Sequence, residues 1–149
     1  MPEASDEPSI QRTTELDLDV EEVWDLISTA EGWASWLVDD AILTIAPGSG
    51  GVVIDDGAER SVRIETLVGG RSVRFSWWDR DDPSSASYVE LEVVELPGNR
   101  ARLDITERFG STTSISAPTA SAPTARAGAR WEVRLLMLCV LALPALVKA

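Results

Sequence analysis

Apolar and polar residues alternate along several short segments of this 149-residue chain. A repeat of two residues is typical of strands that bury one face, and it is clearest in 62–68 and 101–109. Glycine pairs and Asp-Gly turns separate the segments, and such turns favour tight hairpins. The pattern therefore predicts an antiparallel meander with one covered face. The predicted strands are 11–18, 41–45, 52–55, 60–68, 72–78, 88–96 and 101–107, with a polar loop at 79–85.

The period changes to that of a helix between the first two predicted strands. Apolar residues recur at helical spacing over 20–27, and Asp19 with Glu22 has the pattern of a capping box. Thr29 is predicted to cap a second, short helix that carries two tryptophans on one side. Two short helices are therefore expected to connect the first strand to the rest of the sheet.

A long apolar helix is predicted over 130–143, ending near Pro144 because proline cannot continue a helix. Its apolar residues lie on most sides, a pattern that predicts enclosure by other elements. The apolar run 135–147 is shorter than the roughly 20 residues that a membrane-spanning helix needs. A buried core helix is thus favoured over a membrane anchor. Residues 110–129 are predicted to form a flexible loop and residues 1–10 a disordered tail, since both are poor in large apolar residues.

The order of these elements defines the fold class. One strand, two helices, six strands and a final helix predict a single α+β domain over 11–147. A curved antiparallel sheet wrapped around the long C-terminal helix would bury the apolar face of each strand and most of that helix. We therefore expect this architecture.

The charge argues against several classes of partner. Thirteen basic residues stand against 25 acidic ones, for a formal charge of −12, so neither nucleic acid nor an anionic membrane is an expected partner. Residues 1–40 hold 12 of the acids and one base, Arg12. This acidic N-terminal face either keeps the protein in solution or binds a basic protein partner.

The chain lacks most of the residue types that build catalytic and metal sites. It has no histidine and one cysteine, Cys139, which excludes histidine-based triads, internal disulfides and thiolate metal clusters. The acidic pairs such as Asp55-Asp56 do not match the spacing of a calcium loop, so we interpret them as turn residues. We expect no cofactor. The first nine residues lack the pattern of a signal peptide, and a cytoplasmic location is expected.

Three stretches carry a resemblance to a known family. The segment 19–27 (DVEEVWDLI), followed by Trp33 and Trp36-Leu37, resembles a "pxeeVWxal…W" opening. The segment 69–77 (GGRSVRFSW) resembles a "p-x-r-L-x-f-x-W" strand, and Arg130-Trp131 is similar to the start of a "GW…L…L" ending. The chain therefore resembles the START-like, or SRPBCC, helix-grip superfamily. Within it, the chain is similar to bacterial relatives of the C-terminal domain of the activator of the heat-shock-protein-90 ATPase.

The resemblance implies a cavity between the sheet and the C-terminal helix, of the kind that binds an apolar ligand. The candidate ligand-binding residues are the large side chains expected to face it and one carboxylate: Trp36, Phe75, Trp77, Leu103, Ile105, Glu107, Trp131, Leu135 and Leu138. Thr66 and Tyr88 are weaker polar candidates. The alternative is that the aromatic residues simply fill the core.

Three functions follow from the resemblance and the residues. The favoured one is a non-enzymatic protein that binds a small hydrophobic or aromatic molecule in the cavity. The second is a polyketide cyclase-like enzyme, for which Glu107 would be the acid or base. The third is a protein-interaction module of the chaperone-ATPase-activator type that uses the acidic N-terminal face.

Overall fold

The computed structural model describes residues 9–109 and 121–141, and the side-chain surroundings within 9–109 and 130–140. The elements, in chain order, are β1 (Ser9–Leu16), α1 (Val20–Ser28), α2 (Ala30–Trp36), β2 (Asp40–Leu43), β3 (Gly50–Asp55), β4 (Ala58–Val68), β5 (Ser72–Asp79), β6 (Asp82–Leu96), β7 (Arg100–Phe109) and α3 (Ser121–Leu141). This order confirms the predicted sequence of elements.

The seven strands form one antiparallel sheet in the order β1-β7-β6-β5-β4-β3-β2. The strands β2 to β7 are a meander, and β1 pairs with β7. The helices α1 and α2 carry the chain from the β1 edge to the opposite edge, and α3 packs against β1 and α2. The predicted α+β class and curved antiparallel sheet with a C-terminal helix are confirmed, and the architecture is that of a helix-grip fold.

The two short helices begin at the caps that the sequence predicts. The Asp19 carboxylate accepts a hydrogen bond from the Glu22 amide at 2.9 Å, and the Glu22 carboxylate accepts one from the Asp19 amide at 2.9 Å. In α2, the Thr29 hydroxyl accepts a hydrogen bond from the Gly32 amide at 2.8 Å. A side chain at Gly32 would lie 2.4 Å from the Asp25 carbonyl oxygen. Only glycine therefore allows α2 to pack this closely on α1.

A β-bulge in β4 reverses the alternation that the sequence predicts there. Val62 and Ile64 are buried as expected, but the pairing with β5 shifts between Ile64 and Thr66. Thr66 and Val68, expected on the same face as Val62, are exposed, whereas Leu67 packs against the core. The extra residue turns the later side chains to the opposite face.

The predicted polar loop at 79–85 is instead the irregular start of β6. The hairpin closes at the pair Asp79 and Asp82, while the next pair along the ladder is Trp77 with Ser87. The Ser85 hydroxyl accepts a hydrogen bond from the Asp79 amide at 2.8 Å. This bulged segment brings several serines to one end of the sheet.

The ends of the chain differ from the prediction in two places. Ser9 and Ile10 belong to β1, and Ile10 is buried, so the predicted tail is too long by two residues. Residues 1–8, and the part 110–120 of the predicted flexible loop, lie outside the described residues. The helix α3 begins at Ser121, nine residues before the predicted start. Alanine, which recurs in 121–129, has the highest helix propensity.

The prediction that α3 is enclosed on most sides is wrong. Trp131 and Leu138 are fully buried, but Leu136 and Val140 are 66% and 64% exposed. Over 130–140, where the side-chain surroundings of α3 are described, one face packs against the rest of the fold and the other is exposed. The predicted helix end near Pro144 lies outside the described residues. Within the described ranges, neither α3 nor a shorter helix is long and apolar enough to cross a membrane.

Candidate functional site

The structure brings the candidate aromatic residues together as a packed aromatic cluster, which consists of Trp33, Trp36, Phe75, Trp77 and Trp131. Successive ring centres lie 4.6 Å apart for Trp33 and Phe75 and 5.3 Å apart for Phe75 and Trp77. Trp131 lies 6.3 Å from Trp77 and 6.5 Å from Trp36. All five side chains are fully buried, so the rings occupy the space between the sheet and the helices.

The apolar candidates also belong to this core. Leu103, Ile105 and Leu138 are fully buried and Leu135 is half-buried against the same cluster. The indole N–H groups of the two tryptophans in α2 have backbone acceptors: Trp33 donates to the Ile27 carbonyl at 2.8 Å and Trp36 to the Leu26 carbonyl at 3.0 Å. These contacts hold α2 on α1 and leave no polar group of these two side chains unpaired.

Glu107 is a buried carboxylate at the edge of the aromatic cluster, and its side chain is 1% exposed. One oxygen accepts hydrogen bonds from the Trp77 indole at 3.1 Å and from the Ser87 hydroxyl at 2.5 Å. The other accepts from the Trp131 indole at 2.9 Å and lies 3.5 Å from the Arg130 guanidinium. Glu107 therefore accepts three hydrogen bonds and lies beside one cation, and it joins β5, β6, β7 and α3 at one point.

A cleft of about 880 Å³ opens beside Glu107, between α3 and one end of the sheet. Because three arginines contribute to its walls, we call it the arginine cleft. Its lining residues are Asp39, Asp55, Asp56, Ala58, Arg60, Asp79, Ser84, Ser85, Ala86, Ser87, Glu107, Phe109, Arg130, Val133 and Arg134. Of the nine predicted ligand-binding residues, Glu107 alone lines this cleft; the other eight lie in the core behind it.

Asp55 is the buried centre of an ion-pair network in the cleft. Its carboxylate accepts a hydrogen bond from Arg134 at 2.9 Å and lies 3.3 Å from Arg130. Arg134, itself 7% exposed, also donates to Asp39 at 3.0 Å. This hydrogen bond from Arg134 holds the pKa of the Asp39 carboxyl below its ordinary value. The interpretation of Asp55 as an ordinary turn acid is therefore wrong, whereas its neighbour Asp56 is exposed in the turn.

Arg60 is the buried cation with the poorest set of partners among the described residues. It is 8% exposed, and its Nε and Nη1 atoms are buried without a hydrogen-bond partner in the described part of the chain. Its nearest carboxylate oxygens lie 3.6 Å away on Asp79 and 3.8 Å away on Asp55, beyond hydrogen-bond distance. Its guanidinium carbon lies 4.3 Å from the centre of the Trp77 ring.

Two effects lower the pKa of Arg60 from its ordinary value: first burial, and then the positive charge of Arg130. Arginine stays protonated in proteins even so. Arg130 has one buried atom without a hydrogen-bond partner in the described part of the chain, Nη1, and its guanidinium carbon lies 5.5 Å from the Trp77 ring centre. Two guanidinium groups thus lie near one aromatic ring at the wall of the cleft.

The site residues predicted from the sequence do not include Arg60, Asp55 or Arg134, although a local signal marks each of them. Arg60 has the same parity in β4 as Val62, and Asp55 has the same parity in β3 as Val53, so both point to the buried face. Arg134 follows Trp131 by three residues and precedes Leu138 by four, on the buried face of α3. A charged residue in register with buried apolar ones is the signal that would have found them.

The weaker polar candidates lie elsewhere. Thr66 and Tyr88 line a shallow groove of about 320 Å³, together with charged residues such as Arg74. Both side chains are exposed and lie on the sheet face opposite the aromatic cluster. In the described residues, no three carboxylate or thiol groups are placed so that they would hold a metal ion.

Comparison with known proteins adds a family and several similar folds. The model of a family described as Activator of Hsp90 ATPase homolog 1-like protein matches residues 17–135. No sequence among curated proteins matches the chain. The crystal structure of CalU16 from Micromonospora echinospora is similar, with a TM-score of 0.72 and 20% identity over 95% of this chain and 80% of that one.

Two further solved structures have a similar fold. The solution structure of the Aha1 dimer from Colwellia psychrerythraea is similar at a TM-score of 0.69 and 14% identity, over 91% of this chain and 96% of that one. The crystal structure of PFC0360w, an HSP90 activator from Plasmodium falciparum, is similar at 0.69 and 15% identity, over 89% and 94%. At these identities the likeness establishes the fold alone.

Proposed function

This chain belongs to the Activator of Hsp90 ATPase homolog 1-like family, and from its cleft we propose that it binds a small organic molecule between the sheet and α3. The membership confirms the resemblance to the activator branch of the START-like, SRPBCC fold. Family and fold alone do not name a ligand, because one fold hosts many functions.

The observation that carries the proposal is the size and mixed lining of the arginine cleft. Its volume of about 880 Å³ lies in the range of small-molecule sites. Apolar contacts from Ala86, Phe109 and Val133 are combined there with serine hydroxyls and guanidinium groups. A hydrophobic or aromatic ligand body with one polar end fits this lining better than a wholly apolar ligand, which would leave the polar groups unpaired.

Glu107 and the aromatic cluster have a supporting role in this proposal. The carboxylate already accepts from two indoles and a hydroxyl, and Arg130 lies beside it. It therefore fixes Trp77 and Arg130 at the wall of the cleft rather than meeting a ligand first. A cyclase-like enzyme that uses Glu107 as acid or base gains less support, since that carboxylate already accepts three hydrogen bonds from side chains of the core and lies beside the Arg130 guanidinium.

A binding experiment with a matched pair of variants on one helix tests the proposal. Native mass spectrometry of the purified full chain screens for co-purified masses, and titration calorimetry measures a panel of aromatic and aliphatic compounds, charged and neutral. We expect saturable binding that Val133→Trp weakens at least about tenfold, because that residue lines the cleft. Leu136→Trp is the control, since Leu136 is exposed on α3 and is not a lining residue.

Absence of binding across the panel, or equal binding by both variants, would contradict the proposal. A second candidate, docking of a basic partner protein, is favoured by the exposed acids of α1 and α2, Glu21, Glu22, Asp25 and Glu31. In that case the same protein would bind purified heat-shock protein 90 with an affinity that falls as salt is added, while the small-molecule panel gives no heat.

A further inference from the structure

The unpaired atoms at the wall of the arginine cleft define one end of the expected ligand. Arg60 is more than nine-tenths buried, lines the cleft, and has two nitrogens without an acceptor in the described part of the chain. Arg130 adds a third such nitrogen. A buried donor without an acceptor is destabilising, and these donors belong to two side chains at one wall. What is missing there is an acceptor.

The charges at this wall favour a negatively charged acceptor. Arg134 donates hydrogen bonds to Asp55 and Asp39, and Arg130 lies 3.3 Å from Asp55. Arg60 lies 3.6 Å from Asp79 and 3.8 Å from Asp55 without a hydrogen bond to either, so its charge is the least well paired of the three. The other acids of the lining, Asp39, Asp56 and Asp79, are exposed on the rim, where water screens them. A single negative charge beside Arg60 would therefore complete the pairing of that guanidinium.

A carboxylate matches these conditions better than a phosphate or a neutral group. It carries one charge at neutral pH, whereas a phosphate monoester carries nearly two, and the rim acids would repel the excess. The planar guanidinium is also the donor that best fits a carboxylate. Because Trp77 lies against both guanidinium carbons, at 4.3 and 5.5 Å, Arg60 and Arg130 are held beside each other.

We propose that the arginine cleft binds a small monocarboxylate with an apolar or aromatic body, whose carboxylate pairs with Arg60 and Arg130. The inference rests on the proposed small-molecule function and names the class of ligand. The body of the ligand lies along Ala86, Phe109 and Val133, the apolar part of the lining. Asp55 and Glu107 act as positioning residues, because they hold Arg130 from two sides at 3.3 and 3.5 Å.

Comparing each acid with its amide separates the contribution of the ligand's charge to binding from that of its apolar body. Titration calorimetry of the full chain at pH 7 measures the affinities of benzoate, 3-phenylpropanoate and decanoate, and the affinity of the primary amide of each. We expect at least one acid to bind at least about tenfold more tightly than its amide. In ¹H–¹⁵N spectra, that acid is expected to shift the Arg60 Nε–H and Trp77 indole signals.

Two arginines of the same strand provide the variant and its control. Arg60→Met keeps an apolar chain on the Trp77 ring and removes the charge, so the preference for the acid should fall to about one while amide binding is retained. Arg63→Met removes an exposed arginine three residues along β4 that lies 4.0 Å from Glu65, and it should leave the preference unchanged. If Arg60→Met does not fold, Arg60→Gln replaces it.

Each outcome decides between the two proposals. Loss of the acid preference in Arg60→Met but not in Arg63→Met supports the inference. Equal binding of acids and amides, abolished by Val133→Trp, overturns the inference and leaves the proposed function standing. An acid preference that survives in Arg60→Met also overturns the inference, because another group then supplies the charge. If no acid or amide binds, both the inference and the proposed function fail.

Discussion

The aromatic cluster and the arginine cleft lie side by side on the same face of the sheet, and they differ in how completely their buried polar groups are hydrogen-bonded. In the cluster, the indoles of Trp33, Trp36 and Trp131 each donate to a buried acceptor within 3.0 Å. In the cleft, Arg60 is as buried as Arg134 but makes no hydrogen bond to the described residues, while Arg134 makes two to carboxylates. These buried donors of the cluster find acceptors within the chain, whereas those of Arg60 in the cleft find none among the described residues.

The difference separates groups that stabilise the fold from groups that serve a ligand. A buried polar group with its partners in place adds to the free energy of unfolding, whereas one without partners subtracts from it. Unpaired buried groups persist where a function depends on them. The candidate ligand site therefore lies at the incomplete network and not at the largest aromatic surface.

Removing the carboxylate that completes the cluster should have the largest effect. Glu107→Gln places an amide NH₂ among the donors of Trp77, Ser87 and Trp131, and two like donors cannot pair. We expect a loss of about 3 kcal/mol in the free energy of unfolding, measured by urea denaturation. Glu95→Gln, an exposed position on β6, is the control and should change stability little. A wild-type midpoint for Glu107→Gln would show that the network contributes nothing.

Replacing each of the two equally buried arginines, Arg134 and Arg60, by methionine should change the free energy of unfolding in opposite directions. Arg134→Met removes a charged hydrogen-bond donor from both Asp55 and Asp39 and should destabilise the ligand-free protein by about 2 kcal/mol. Arg60→Met removes a desolvated charge that has no hydrogen bond to lose among the described residues. It should raise stability by about 1 kcal/mol. Thermal and urea unfolding of the two variants, side by side, would contradict this comparison if both lost stability equally.

The smallest effect is a pH dependence at the rim of the cleft. Because the pKa of Asp39 is lowered in the folded state, its ion pair stabilises the protein above the unfolded-state pKa, and this contribution is lost as the pH falls through the folded-state value. Asp39→Asn should therefore be less stable than the wild type at pH 7, by about 0.3–0.5 kcal/mol since the pair is half exposed. The difference should shrink as the pH falls below the ordinary range of an aspartate carboxyl. Asp81→Asn, exposed beyond β5, is the matched control.

Much of the fold could be predicted because its signals are local. The capping residues Asp19, Glu22 and Thr29 act on amides three residues away, and all three form the predicted bonds. Alternation likewise assigns Leu103, Ile105 and Glu107 to the buried face of β7, as observed. These features depend on a period of two or on a single helical turn, so the chain itself carries them.

The bulge in β4 marks a limit of such reasoning. One extra residue between Ile64 and Thr66 moves Leu67 inward, and no turn or glycine in that strand marks the change. The exposure of Leu136 and Val140 is a limit of the same kind, because a helix that is apolar all round does not specify which of its sides the sheet will cover.

The sequence by itself determined the element order, the helix caps, the faces of most strands and the family resemblance, since each depends on residues that are close in sequence. The tertiary structure alone decided that Asp55 of β3 lies beside Arg60 of β4 and Arg130 of α3, and that both guanidinium groups lie near the Trp77 ring. Residue 130 is far in sequence from residues 55 and 60, so no local sequence pattern could show that these charges interact. Whether such a group finds a partner depends on strand register and on the position of α3, and these are set only when the whole core packs.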